Sequence, residues 1–141
     1  MIHRALRVGR WTCDFLFVLG HNDTEGVMAC LYEYDAPQDI SRRAREIMEG
    51  GEPNCGFTFS NSDRRRSLSW IGPQSSGAQW INTAFHEIIH VAIAIAGSEG
   101  MEQFSEEFAY LCGDISQGIA DLLCELACDR CRDKILESQG E

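Results

Sequence analysis

The chain has 141 residues, 44% of them hydrophobic and 24% charged, with a formal net charge of −10. That length predicts one domain over residues 1–141, able to bury a core without disulfide staples; there is no repeat of solenoid length and no apolar run long enough to span a bilayer, so no membrane partner is expected. The charge is uneven: residues 99–141 hold eleven acids against Arg130, Arg132 and Lys134, which argues against nucleic acid as a partner.

In chain order, MIHRALRVGRWTCDFLFVLG (1–20) places arginines before apolar residues. Asp14 interrupts the apolar part and no small-residue cleavage site follows, so it reads as a strand rather than a signal peptide, with the cytoplasm as the expected location. RWTCDFLFVLG (10–20) and GVMACLYEYD (26–35) are rich in aromatic and β-branched residues and predict two strands, joined as a hairpin by the turn formers of GHNDTEG. APQDISRRAREIMEGG (36–51) predicts a short amphipathic helix capped by Asp39, with Ile40, Ala44 and Ile47 on one face and Gly50-Gly51 ending it. CGFTFSN (55–61) and RSLSWIGP (66–73) alternate like adjacent strands. The basic runs RRAR (42–45) and DRRRS (63–67) lie close to acids and read as solvated faces.

From Gly77 the character changes. Ile81, Ala84, Phe85, Ile88, Ile89, Ala92, Ile93 and Ile95 cover nearly the whole circumference of a helix, predicting burial on most sides, with Gly97 as its C-cap. A second helical pattern runs from about Phe104 into the 130s, with Ile115, Ile119, Leu122, Leu123 and Leu126 forming one buried stripe. Strands first and helices last predict an α+β fold, a small mixed sheet packed on the central helix and the long helix after it. Seven cysteines, an odd number without an export signal, predict reduced thiols. The C-x-x-C pair inside CELACDRC (124–131) has no second pair at zinc-ribbon spacing, is expected within a continuous helix, and does not read as a metal site.

The apolar central helix contains three ionisable groups, in TAFHEIIHVAIAIAG (83–97). Burying them without partners costs several kcal/mol, so a compensating ion between two adjoining helices is expected. Residues four apart on a helix share a face, so His86 and His90 can each turn one imidazole nitrogen to a single ion, and zinc suits that donor pair. Glu87, about 100° around the axis, can reach a water at that ion and act as a base without being a ligand. A catalytic zinc takes three protein ligands and keeps the fourth position for water. Beyond the helix the candidates for the third are Glu99, Glu102, Glu106, Glu107 and Asp114. Glu99 and Glu102 stand too close to the turn to return easily, whereas Glu106 and Glu107 begin a helix that can pack back.

HEIIH (86–90) followed some fifteen residues later by EEFAYL (106–111) resembles the gluzincin type of zincin metallopeptidase, whose second helix donates a glutamate in an E-x-x-A or E-x-x-S motif. It is similar also to small single-domain HExxH proteins of bacteriophages and mobile elements. The resemblance implies a minimal zincin-like fold, Zn2+ as cofactor, Glu106 as the third ligand beside His86 and His90, and Ala109 as the small residue that lets the helices approach. It implies a metallopeptidase acting on a peptide or protein substrate through Glu87. The chain departs from thermolysin-like members at Tyr110, where they carry Asp or Asn; this phenol could hydrogen-bond a ligand, stabilise an oxyanion, or be a packed core tyrosine. In zincins the strand before the zinc helix offers its edge to an extended peptide, and RSLSWIGP is the matching segment, with Ser67, Ser69 and Ile71 expected to line the cleft. The alternative expectation is a zinc-binding structural or interaction protein with little or no peptidase activity.

Overall fold

The computed structural model describes residues 1–140. Four short strands, β1 (Ile2–Val8), β2 (Trp11–Phe17), β3 (Gly56–Asn61) and β4 (Arg66–Ile71), form one mixed sheet in the order β1-β2-β4-β3. β1 pairs antiparallel with β2 and β3 with β4, while β2 and β4 run parallel. Five helices complete the α+β fold: α1 (Thr24–Glu33), α2 (Gln38–Glu49), α3 (Gly77–Glu99), α4 (Glu106–Ala127) and α5 (Asp129–Gln139). Within the described residues no helix is long and apolar enough to cross a membrane.

Strand alternation sorts the side chains onto two cores. Cys13, Phe15, Phe17 and Ile71 meet Ile88, Val91, Ala92 and Ile95 of α3 and Ile115, Ile119 and Leu122 of α4. On the opposite face Leu16, Val18, Leu68 and Trp70 meet Val27 and Leu31 of α1 and Ala44 and Met48 of α2. The predicted stripe of α4 is buried throughout. α3 and α4 meet at Gly77, where a Cβ would lie 2.1 Å from the Ala127 carbonyl oxygen, so only glycine fits.

Several expectations are corrected. The N-terminal strand is two strands, because Gly9 takes the positive φ (+58°) that a tight hairpin needs and folds Ile2–Val8 back on Trp11–Phe17. Residues 26–33 lie in helix α1 rather than a strand, with Tyr34 and Asp35 turning out of it: Val27, Leu31 and Tyr34 bury at helical spacing, and Asp23 caps the helix by accepting from the Gly26 N–H at 3.0 Å. α2 starts after Pro37, with Asp39 in its first turn and not as its cap. α3 passes Gly97 and ends at Gly100 (φ +70°). Its extra turn is tied down by Glu99, which pairs with Arg10 at 3.3 Å and Arg65 at 3.6 Å on the two hairpin turns. The second long helix is broken at Cys128, whose backbone is extended.

Candidate metal centre

The central helix is buried on one side, not nearly all round. Glu87, Ile88, Val91 and Ala92 are buried, whereas Ile81, Phe85, Ile89 and Ile93 are each about two-fifths exposed. His86 and His90 are exposed too, so the imidazoles do not fill an interior space between α3 and α4. The groove between those helices is lined instead by Ile81 and Phe85 opposite Gly113, Gln117 and Ala120.

Helical spacing nevertheless brings the two rings together as expected. Their Nε2 atoms lie 3.2 Å apart, within hydrogen-bond reach of each other, and the ring planes are inclined at 67°. Ligand atoms of His86, Glu87 and His90 all fall within 4.8 Å of one another. Two nitrogens bound to one tetrahedral zinc at about 2.0–2.1 Å each stand about 3.3–3.4 Å apart, so the observed spacing fits the donor set.

Glu87 faces inward and is 2% exposed. It lies against β3, whose α3-facing residues are Gly56, Thr58 and Ser60. Gly56 makes this approach feasible: a Cβ there would stand 2.9 Å from the Trp70 carbonyl oxygen, 3.1 Å from Thr83 Cγ2 and 3.2 Å from Glu87 Cγ. The Thr58 hydroxyl is 3.5 Å from Glu87 Oε1 and 2.8 Å from Ser69 Oγ, and Ser60 and Ser67 pair at 3.0 Å beyond. A polar strip thus runs along the sheet beneath the helix, but Glu87 Oε2 is left buried with no hydrogen-bond partner. Burial raises the Glu87 carboxyl above its ordinary value, outweighing the opposing pull of His86 and the Thr58 hydroxyl. A buried carboxyl with one free oxygen, beside two convergent imidazoles, can hold and release a proton at a cation.

The other predicted site residues lie elsewhere. α3 continues nine residues past His90 before the chain turns, about 13 Å at the helical rise, and Glu106 then sits exposed in the first turn of α4, outside the His86–Glu87–His90 group. Tyr110 is 67% exposed on the same helix, which removes its reading as a packed core tyrosine. The strand expected to receive a peptide is corrected as well. β4 is central, paired on both edges, with Ser67, Ser69 and Ile71 buried; its neighbour β3 is the edge strand on the α3 Glu87 side, and β1 is the other edge. Thr58 and Gly56 are the site residues the sequence reading missed, and the alternation of CGFTFSN, which puts Gly56, Thr58 and Ser60 on one face, is the signal that could have found them.

Comparison with protein-family models, curated proteins and solved structures finds no match to this chain. The His-Glu-His group is therefore read from its own geometry.

Proposed function

We propose that His86 and His90 bind a zinc ion and that the chain is a metallopeptidase of zincin-like design in which Glu87 is the general base. One observation carries the reading: two ligand nitrogens at zinc-ligand spacing, 3.2 Å, stand beside a buried carboxylate with an unpartnered oxygen. When bound, zinc polarises a scissile carbonyl and makes water more acidic. Glu87 takes the proton of the attacking water and delivers it to the departing amine nitrogen, and its raised proton affinity suits that exchange. Thr58, held by Ser69, steadies Oε1, and Oε2 has no hydrogen bond that competes for the proton. An extended peptide is proposed to add along the outer edge of β3, the strand against which Glu87 packs. Glu106 is proposed as the third ligand and Tyr110 as the group that meets the carbonyl, both on the exposed start of α4.

The test is zinc stoichiometry and cleavage of a mixed peptide library by wild type and variants. His86→Ala and His90→Ala are expected to lose the zinc. Glu87→Gln is expected to keep it and to cleave about a hundredfold more slowly or worse. Glu106→Ala should lose zinc where Glu107→Ala does not, and the reverse result removes Glu106 from the site. A Glu87→Gln variant as fast as wild type contradicts the assigned role.

A second reading is favoured by the exposure of both imidazoles and the outlying place of Glu106. In it the chain is a zinc-binding structural or interaction protein, of phage or mobile-element type, with little or no peptidase activity. Equal zinc binding by wild type and Glu87→Gln with no cleavage by either would select it.

A further inference from the structure

The break between α4 and α5 falls at Cys128, inside the C-x-x-C pair. Its N–H closes the last turn of α4 on the Glu125 carbonyl at 3.2 Å, and its own carbonyl accepts from the Arg132 N–H at 3.0 Å as α5 begins. The Arg132 guanidinium caps the Leu126 carbonyl at 2.6 Å and bonds Asp129, pinning the junction. Cys128 is thus the extended residue that immediately precedes the eleven-residue α5, and Cys131 stands in its first turn. Both remain reachable: Cys128 is exposed and Cys131 half-buried.

The geometry points to Cys128 and Cys131 as a redox-active dithiol that exchanges with small or protein disulfides, Cys128 attacking and Cys131 resolving. The Cys128 thiolate attacks one sulfur of a disulfide such as oxidised glutathione and expels one glutathione thiolate. The Cys131 thiol, giving its proton to solvent, then attacks Cys128 Sγ and expels the second. Two protein thiols become one disulfide and one external disulfide becomes two thiols.

The neighbourhood supports this order of attack. The Cys128 side chain makes no capping hydrogen bond, but the neighbouring Cys131 N–H and thiol and the Arg130 N–H lower it below the ordinary thiol value, against desolvation and Asp129. The Cys131 thiol is held up, chiefly by Cys128. Elsewhere burial works the other way, pushing Cys13 up to about 12 and raising Cys30 and Cys112, so these thiols are poor nucleophiles. Cys124, exposed one turn before Cys128, is a control in the same peptide region without a helix start behind it.

The full chain, kept in EDTA, is equilibrated in reduced and oxidised glutathione, acid-quenched, alkylated and mapped by mass spectrometry. The expected product is an intramolecular Cys128–Cys131 disulfide whose fraction follows the glutathione ratio. Cys131→Ser should trap glutathione on Cys128, and Cys128→Ser should abolish both products. At neutral pH Cys128 should react with iodoacetamide about threefold faster than Cys124 or better. A disulfide formed instead from Cys124, glutathione trapped equally at every exposed thiol, or no oxidation across the whole ratio range overturns the proposal. Both substitutions are at accessible positions, and unchanged far-UV circular dichroism would show that the variants fold.

Discussion

At the scale of single residues, the site depends on one missing side chain and one buried charge. Gly56 is glycine because β3 and α3 touch there. Gly56→Ala is expected to destabilise the protein by about 1–3 kcal/mol, read in a denaturant titration, by forcing β3 away from Thr83 and Glu87. The raised carboxyl of Glu87 gives a pH dependence with a definite sign. A group whose proton affinity is higher folded than unfolded stabilises the fold while protonated, and that stability is lost as pH rises through its folded value. Metal-free Glu87→Gln should therefore be more stable than metal-free wild type at pH 8, and the advantage should shrink toward pH 4; a constant difference would contradict the assigned environment. On the other face of the sheet Asp14 is buried between His3 at 2.7 Å and the Tyr34 hydroxyl. Tyr34→Phe strips one carboxylate oxygen of its donor and should cost about 1–3 kcal/mol by the same titration.

At the scale of elements, the helical assignment of Thr24–Glu33 makes its own prediction. Asp23→Ala removes a cap that accepts from Gly26 and should cost about 1 kcal/mol in thermal or chemical unfolding, whereas a turn residue between two strands would be nearly neutral. That element also shows where the sequence was legible and where it was not. The existence of the two long helices, the β3–β4 hairpin and α2 follows from periodicity and turn residues, whereas the ends of α2 and α3 and the break at Cys128 do not. α1 was obscured because Val27, Tyr32 and Tyr34 favour strands by type while Val27, Leu31 and Tyr34 bury at helical spacing, and tertiary packing decided for the spacing. α3 overran Gly97 because Glu99 gains two ion pairs with distant hairpin turns, which no local pattern reveals. Of the site, HEIIH announced the His86–His90 juxtaposition and the position of Glu87 beside it. The exposure of the imidazoles was hidden, because an apolar run does not say which side a partner layer covers.

For the whole molecule, a two-layered core around one small sheet leaves one side of α3 open, and both histidines are exposed on that helix. Binding at such a place couples to stability by mass action: zinc at a hundred times its dissociation constant should add about 2.7 kcal/mol, a rise in Tm of about 8–10 °C for a chain of this size. His86→Ala should abolish the rise, while Cys128→Ser should leave it intact, which separates the metal centre from the dithiol. The most direct test is an anomalous difference map at the zinc edge, from crystals grown in excess zinc. The account predicts a full peak bonded to Nε2 of both His86 and His90, with Glu87 close by. Zinc found only at the cysteines or at surface acids, with the two imidazoles still hydrogen-bonded to each other, would contradict it.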